Sequence, residues 1–377
     1  MTFASTGKSR GGGNIIYIMF RIQFSHTYDS IISLENLLLA WKEFLIGKKS
    51  RKDVLEFERD LMSNVISLHT DLINKTYKHS NYEAFKINDP KPRDIHKARV
   101  RDRLLHHAIY RILYSYLDKK FIYDSYSCRV GKGTHKAIYR FESFIRKVSK
   151  NNTKTCWVLK CDIKKFFANI DHKILKEILS KTVFDKDTLW LLEQVIDSFY
   201  TNAHIHHGVY VQSNTIYAIA KMKKYQYSNS AIAENEYRGL PLGNLTSQLL
   251  VNIYMNEFDQ YVKHKLKVEY YIRYADDFVI LSESKEYLEN ILEQMKEFLE
   301  NKLKLNMHPD KVFIKTIVSG VDFLGWVHFP KHRVLRTATK RRMFRNIREN
   351  QKLNTVQSYL GMLSHGNTYK LREILKD

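Results

Sequence analysis

The apolar positions of the chain follow two periods, one typical of helices and one typical of strands. Helical spacing runs through residues 28–75, returns in 285–303 and continues in 331–377. Two shorter runs, Trp157–Ile163 and Tyr270–Leu281, are rich in aromatic and β-branched residues and predict buried strands. The pattern therefore predicts a folded protein that combines helical bundles with at least one sheet.

Both predicted strand regions carry acidic residues. Asp162 stands at the end of the first, whereas Asp276 and Asp277 interrupt the second, which predicts strand, tight turn and strand with both aspartates at the tip. Adjacent like charges repel, so the pair must be solvated, shared with cations or partly protonated. A polar hairpin tip at the surface is the plainer interpretation of the pair taken alone.

The upstream acid weakens that plainer interpretation. Two strands that each present a carboxylate at one end can together hold divalent cations, and Mg²⁺ prefers carboxylate oxygens while leaving room for phosphates. Two such ions can activate a 3′-hydroxyl and stabilise a leaving pyrophosphate. The acids therefore indicate a phosphoryl-transfer site.

Composition narrows the class of partner. The chain has 377 residues, 44% hydrophobic, which is enough for two or three subdomains, and its net charge of +22 favours a polyanionic partner, above all nucleic acid. A basic membrane-surface protein is the alternative, but no long apolar span or secretion signal stands in the sequence, so no membrane partner is expected. Three cysteines without a zinc pattern suggest a reducing, cytoplasmic compartment.

Further motifs stand in a fixed order around the acidic strands. The order is an arginine-rich segment, residues 127–135 with their flanks, the Asp162 strand, Gly239–Gln248, Tyr274–Asp277 and Phe323–Trp326. Together, over residues 86–330, these motifs resemble the reverse transcriptase family, in which Tyr-Ala-Asp-Asp is the catalytic signature. The whole series is far more specific than its four-letter centre.

The resemblance implies a fold and a reaction. The fold is α+β, a right-hand polymerase with fingers, palm and thumb and an antiparallel palm sheet backed by helices. The reaction is RNA-templated addition of dNTPs to a 3′-hydroxyl. The expected parts are a flexible leader (1–27), a helical N-terminal extension (28–85), fingers (86–155), a palm (156–330, with part of the fingers in about 181–238) and a basic helical thumb (331–377).

The resemblance also assigns the chemistry at the acidic strands. Asp162, Asp276 and Asp277 are expected to be catalytic and to hold two Mg²⁺ ions, for which Mn²⁺ is a possible substitute. Lys311 occupies the position of a family lysine near the pyrophosphate and is a candidate general acid. An ordinary surface lysine is the alternative for Lys311.

Four more residues are expected to contact the incoming nucleotide. Arg93, Arg99 and Arg129 are candidates for its phosphates, because the arginine fork suits phosphate oxygens; a solvated basic face is the alternative. Phe167, five residues after Asp162, matches the aromatic that lies beneath the sugar and excludes the 2′-hydroxyl. A core phenylalanine is the alternative for Phe167.

The Gly239–Gln248 motif indicates a subtype. Most reverse transcriptases have glutamine where this chain has Leu242, and the sequence from Leu242 and Gly243 to Gln248 is similar to reverse transcriptases of diversity-generating retroelements. Those bacterial or phage enzymes copy a template-repeat RNA with errors at adenines for mutagenic retrohoming, together with a small basic accessory variability protein. A phage-defence or other bacterial reverse transcriptase, and a non-catalytic RNA-binding protein on a polymerase fold, are the alternatives.

Two predictions concern the remaining segments. The basic thumb suits an RNA–DNA duplex recognised by shape. Residues 201–237 are interpreted as a hairpin or a variable insertion, in which His204, His206 and His207 form a surface loop rather than a metal site, because no acidic or cysteine partner lies nearby.

Overall fold

The computed structural model describes residues 27–88, 92–201, 237–349 and 353–375. The predicted leader before Thr27 and the segment 202–236, with its three histidines, lie outside the described residues. The expected division into extension, fingers, palm and thumb stays a prediction.

Helices and strands alternate along the described chain. The helices are α1 (Thr27–Ile32), α2 (Leu34–Phe44), α3 (Lys52–Arg59), α4 (Leu61–Ile73), α5 (Val100–Leu117), α6 (Thr134–Val148), α7 (His172–Thr182), α8 (Lys186–Ile196), α9 (Leu245–Gln260), α10 (Lys285–Lys302), α11 (Thr337–Glu349), α12 (Leu353–Leu363) and α13 (Tyr369–Ile374). The strands are β1 (Glu83–Ile87), β2 (Arg93–Lys97), β3 (Trp157–Asp162), β4 (Tyr271–Tyr274), β5 (Asp277–Ser282), β6 (Phe313–Thr316), β7 (Val321–Phe323), β8 (Trp326–His328) and β9 (Arg333–Leu335).

A four-stranded antiparallel sheet in the order β4-β5-β3-β6 forms the centre of the protein. Successive side chains along β3 point to opposite faces. Leu159 and Cys161 join the main hydrophobic core, which includes residues of α9 and α10, while Val158 joins a second core formed with α6. Helices therefore cover both faces, which explains the apolar run Phe278–Leu281 in β5 and the mostly apolar sequence of β3.

The N-terminal helices α1 to α4 pack together and onto α5. An antiparallel hairpin of β1 and β2 follows α4 along the chain; Ile87 pairs with Arg93, and every residue of β1 is exposed. The hairpin was not predicted, because its strands are mostly polar and lack the alternation of a half-buried sheet.

The C-terminal part contains a small antiparallel sheet, β7-β8-β9, followed by α11 to α13. Trp326, Met343 and Leu363 form a separate core there, which Ile138 of α6 joins. Among the described residues, no helix combines the length and apolar character needed to cross a membrane.

Candidate active site

The predicted acids of the two strand regions meet at one edge of the central sheet. Asp162 at the end of β3 is paired with Asp277 at the start of β5, so both side chains leave the same face of the sheet. Tyr274 of β4 is also paired with Asp277, which leaves Ala275 and Asp276 as a two-residue turn. Asp277 is thus a strand residue, and the prediction that it lies at the hairpin tip was wrong.

Main-chain hydrogen bonds fix the turn and the neighbouring strand end. Ile163 donates its N–H to the carbonyl of Asp276 at 3.2 Å, and His308 donates to the carbonyl of Asp162 at 2.7 Å. Ala275 has φ of 57°, in the left-handed region that non-glycine residues seldom adopt. The site therefore contains a backbone conformation that its surroundings must hold in place.

Burial and neighbouring negative charge raise the pKa of Asp276 and of Asp277. Burial, and then the charge of Asp162, raise the pKa of Asp276 above its ordinary value. Burial raises the pKa of Asp277 to about 7, with the charges of Asp162 and Asp276 adding to the effect and Lys160 opposing it. Three acids placed this way form a site whose electrostatics favour added positive charge.

Two lysines supply positive charge. Lys311 donates from Nζ to Asp162 Oδ1 at 2.7 Å. Lys160 places Nζ 3.4 Å from Asp277 Oδ2 and donates to the carbonyl of Asp322, in β7, at 2.9 Å. Lys311, a predicted site residue, therefore lies directly at the acids.

The donor set suits a hard divalent cation, although the side chains do not form a ready-made cage. In the described ranges, no group of three or more His, Cys, Asp or Glu side chains is gathered as a metal site requires. Asp277 Oδ1 is nevertheless buried with no hydrogen-bond partner among the described atoms, and carboxylate oxygens are the ligands that Mg²⁺ prefers. Metal binding here would require the lysine contacts to rearrange.

The loop before α9 is fastened to β2. His96 donates its N–H to the carbonyl of Leu242 at 3.1 Å, and Asn244 Nδ2 donates to the carbonyl of His96 at 3.0 Å. Gly243 has φ of 107°, and a Cβ built there would lie 3.0 Å from Ile95 Cγ2. Leu242 and Gly243 thus lie against the strand that begins with Arg93.

Arg93, the first residue of β2, and Arg99, two residues after β2 ends, lie in different surroundings. Arg93 is exposed, and its charge lowers the pKa of Asp276 against the larger effects of burial and Asp162, so it lies within electrostatic reach of the acids. Arg99 instead lines a cavity of about 620 Å³ together with Asp53 and Asn64 of the N-terminal helices. Of these two arginines, only Arg93 is close enough to Asp276 for its charge to affect the pKa of that carboxyl.

Arg129 lies in a loop that uses most of its donors. Its Nε donates to Asp118 Oδ1 at 2.6 Å, Nη1 donates to the carbonyls of Ile122 and Ser125, and Nη2 donates to the carbonyl of Asp118. The side chain is only 6% exposed. A phosphate contact from Arg129 would therefore require some of these bonds to break.

Phe167 lies in a short 3₁₀ turn after Asp162 and is half-buried. Its carbonyl accepts from the N–H of Leu240 at 2.8 Å, and its ring packs edge-on to Phe166 at 5.5 Å. The ring is thus held beside the 239–244 loop while part of it stays exposed.

Sequence reasoning missed two charged residues of the site. Lys160 lies two residues before Asp162 on the same strand, so the period of two could have placed it on the same face. Arg273 is a charge within an otherwise apolar, fully buried strand, and burial without partners would be unfavourable. A charged residue inside an apolar strand was therefore the sequence signal that could have indicated a buried ion pair.

An antiparallel sheet that brings acids from two adjacent strands to one edge, within an α+β chain, is the arrangement of a right-hand polymerase. The family described as Reverse transcriptase (RNA-dependent DNA polymerase) matches residues 86–328. The chain therefore belongs to the reverse transcriptase family.

Two similar proteins match part of the chain. The chain is 24% identical over 273 residues to Protein YkfC of Escherichia coli K12, covering 64% of this chain and 62% of that protein. It is 24% identical over 303 residues to the group II intron-encoded protein LtrA of Lactococcus lactis subsp. cremoris, covering 64% and 45%. The match thus covers less than two thirds of these relatives' lengths.

Among solved structures, an apo telomerase from Candida tropicalis, truncated from its C-terminal domain, is 12% identical with a TM-score of 0.42. That match covers 73% of this chain and 60% of the telomerase chain.

Proposed function

We propose that the protein is an RNA-directed DNA polymerase. The observation that carries this proposal is the pairing of Asp162 with Asp277 across β3 and β5, with Asp276 in the adjoining turn, inside a region matched by the reverse transcriptase family. Substrates are an RNA template, a primer and dNTPs. A pure RNA-binding protein would gain nothing from carboxylates placed beside a phosphate backbone.

In this proposal Asp162, Asp276 and Asp277 hold two divalent ions, Mg²⁺ or Mn²⁺. Ions held by these residues would supply a lower pKa for the primer 3′-hydroxyl and would stabilise charge on the leaving pyrophosphate. The hydroxyl gives up its proton to solvent water, its oxygen bonds to the α-phosphorus of the dNTP, and the bond from that phosphorus to the pyrophosphate breaks. Lys311 releases Asp162 when the ions bind and donates a proton to the pyrophosphate.

The residues around the acids select and orient the nucleotide. Arg93 contacts its phosphates, since its charge already reaches Asp276. Phe167 lies beneath the sugar and excludes a 2′-hydroxyl, so dNTPs are preferred over NTPs. For Arg99, the cavity shared with the N-terminal helices favours a contact with the template backbone over one with the nucleotide.

Primer extension tests the proposal. The purified chain is given an RNA template, a DNA primer, dNTPs and Mg²⁺, alone and with Asp276→Ala. A matched control is Asp310→Ala, an acid with an 87% exposed side chain close to Lys311 in sequence. Complementary DNA from the wild type and from Asp310→Ala, absent with Asp276→Ala, is the expected result; equal activity of Asp276→Ala would refute the assignment.

We propose further that the enzyme belongs to a diversity-generating retroelement and is error-prone at template adenines. The support is Leu242, whose carbonyl is bonded to His96 while its side chain stays half-buried beside β2. A glutamine there could hydrogen-bond near the nascent base pair and report its geometry, and leucine cannot. Losing such a polar contact can lower selectivity strongly.

Sequencing of the cDNA tests this finer proposal. Wild-type cDNA is expected to carry errors concentrated opposite adenine, and Leu242→Gln is expected to lower them, while Leu245→Gln, three residues on, serves as the control. Accurate wild-type cDNA would instead favour a phage-defence or general bacterial reverse transcriptase. The reaction is run with and without a candidate small basic accessory protein and a structured template-repeat RNA, the partners this subtype would use in mutagenic retrohoming.

A further inference from the structure

Arg273 is a fully buried charge in β4, two residues before the turn that carries Asp276. Its Nε donates to Asp259 Oδ1 at 2.8 Å and its Nη2 to Asp259 Oδ2 at 2.6 Å, and Asp259 of α9 is equally buried. Replacing a buried ion pair by apolar residues is often neutral or stabilising. Stability alone therefore does not account for this pair.

The remaining donors of Arg273 point away from the ion pair. Nη1 donates to the carbonyl of Ala275 at 3.1 Å and to Asn252 Oδ1 at 3.3 Å, and Nη2 donates to Ser125 Oγ at 3.1 Å. One guanidinium thus joins three elements: α9, the turn, and the loop that contains Ser125. Its planar fork fixes their relative positions in a way that no apolar side chain can.

The turn needs this support. Ala275 is in the left-handed region, and a non-glycine residue persists there only when its surroundings hold it. The carbonyl that Arg273 binds is the one preceding Asp276. On its other side the turn is held by the N–H of Ile163 on the carbonyl of Asp276. Loss of the arginine contact would remove the side-chain support of the Ala275 carbonyl and leave the turn held only by main-chain bonds of its flanking strands and of Ile163.

The loop is fastened to the same strand through the main chain. Arg273 donates its N–H to the carbonyl of Asp124 at 3.0 Å, and its carbonyl accepts from Tyr126 at 2.9 Å. Asn252 Nδ2 also donates to the carbonyl of Ser127 at 3.0 Å. The loop that leads to Arg129 is therefore bonded to the strand, the helix and the guanidinium that hold the turn.

We propose that Arg273 is a positioning residue that holds the Ala275–Asp276 turn in its metal-binding geometry and couples that turn to the loop 124–129. The inference rests on the proposed polymerase function and deepens it. Arg273 touches neither nucleotide nor metal and acts through the carbonyl of Ala275. Loss of Arg273 is expected to change the orientation of Asp276. A displacement of about 1 Å in an active site can lower a rate about 100-fold.

Arg273→Lys is the informative variant. Lysine keeps a positive charge for Asp259, but its single nitrogen cannot reach three elements in a fixed fork. Tyr271→Phe is the matched control, because the Tyr271 hydroxyl donates to Asp259 Oδ1 at 2.7 Å within the same buried cluster but makes no bond to the turn. The control therefore perturbs the ion pair without releasing Ala275.

Three readouts separate positioning from simple loss of packing. They are Mn²⁺ affinity by electron paramagnetic resonance, hydrogen exchange of the amides in the turn, and single-nucleotide incorporation kinetics. Arg273→Lys is expected to weaken Mn²⁺ binding, to speed exchange in the turn and to lower kcat about 100-fold with little change in the KM for dNTP. Tyr271→Phe is expected to keep wild-type values in all three.

The outcomes are decisive in either direction. Wild-type Mn²⁺ affinity, exchange and kcat in Arg273→Lys would overturn the proposal, and so would equal losses in Tyr271→Phe. If Arg273→Lys does not fold, Ser125→Ala combined with Asn252→Ala removes two partners of the guanidinium while the ion pair stays, and unchanged exchange in the turn would then overturn it. A wild type that binds Mn²⁺ but makes no cDNA refutes the polymerase function and leaves the metal and exchange tests valid.

Discussion

Single side chains decide whether the carboxylates of the site are available to a metal. Lys311 is bonded to Asp162 and Lys160 lies beside Asp277, so each lysine occupies space that a cation would take. Both lysines also reduce the repulsion among acids that would otherwise be buried without positive charge. A metal that enters must therefore displace contacts that already offset part of the negative charge.

Removal of Lys311 tests whether it takes part in chemistry. Lys311→Ala is expected to lower the rate of single-nucleotide incorporation by about 100-fold or more, the usual range for a lost general acid. Lys315→Ala, an exposed lysine on β6, is the control and should leave the rate unchanged. Quenched-flow measurements at saturating Mg²⁺ separate this effect from metal binding, and an unchanged rate would make Lys311 a surface lysine.

His328 predicts how stability depends on pH. Burial, and then the charge of Arg333, lower the pKa of His328 to about 4 from its ordinary value of 6.5. Between these two values the unfolded chain binds a proton that the folded chain does not, so stability is lost as the pH falls through this window. The loss from this residue is about 3 kcal/mol at most.

The replacement His328→Phe removes that titration and keeps an aromatic ring beside Phe141, which lies 5.0 Å away. Urea unfolding between pH 7 and pH 4 should show a shallower loss of stability for His328→Phe than for the wild type. His264→Phe, at an exposed position, is the control. Parallel pH profiles for His328→Phe and the wild type would contradict the prediction.

At the residue scale the sequence located the acids well and their neighbours poorly. Asp162, Asp276 and Asp277 could be found because acids at the ends of apolar strands conflict with burial and so stand out. Lys160 and Arg273 depend on which residues face them across the fold, and that information is not local. For Arg129 the sequence showed a charge, but not the carbonyls that use its donors.

At the scale of elements, the contact between the 239–244 loop and β2 joins two distant parts of the chain. The loop and strand exchange hydrogen bonds through Leu242, Asn244 and His96, although neither segment continues the central sheet. The loop precedes α9, which carries Asn252 and Asp259 to Arg273. A displacement of β2 is therefore expected to displace the residues at the start of α9.

Gly243→Ala tests that connection. A Cβ there would meet Ile95 of β2 at 3.0 Å in addition to the strain of a positive φ. Gly131→Ala is the matched control, because its φ of 72° is also left-handed but nothing lies within 4 Å of its Cβ. Both variants should lose roughly 1 kcal/mol of stability. Only Gly243→Ala should raise the KM for dNTP in steady-state kinetics. Equal KM values for the two variants would show that the loop does not affect nucleotide binding.

Helices were predicted more accurately than strands. The helix over 285–303 is observed as Lys285–Lys302, and helix α7 begins after Asp171, whose side chain accepts the N–H of Ile174 at 3.1 Å. Helical periodicity and capping are local signals, so the sequence contains them. The β1-β2 hairpin depends on tertiary contacts with the Leu242 loop, and its polar residues carry no such signal.

For the whole molecule, the net charge of +22 favours a polyanionic partner such as nucleic acid. Helix α11 contributes exposed Lys340, Arg341, Arg345 and Arg348 on the polar side of a helix that buries Met343. Such a surface suits the backbone of a duplex and reads shape rather than sequence. Binding through it should weaken steeply as salt rises.

Arg341→Ala combined with Arg348→Ala tests the contribution of α11. Each lost phosphate contact should reduce the slope of log affinity against log salt by about 0.9, so the double variant should differ from the wild type by roughly 2. Fluorescence anisotropy with an RNA–DNA duplex at several salt concentrations measures the slope. Lys52→Ala combined with Lys285→Ala removes the same charge elsewhere, and an equal change there would mean that only net charge matters.

The order of strands in the central sheet has a consequence for synthesis on the ribosome. Strand β3 pairs with β5 and with β6, whose last paired residue, Thr316, follows β3 by roughly 150 residues. At about 5–20 residues per second, β3 therefore waits on the order of 10 s for its partners to be translated. Helices α1 to α5 contact one another within a shorter stretch and can assemble first. During that interval the apolar face of β3 is exposed, and nascent chains of this length should be the ones that chaperones retain.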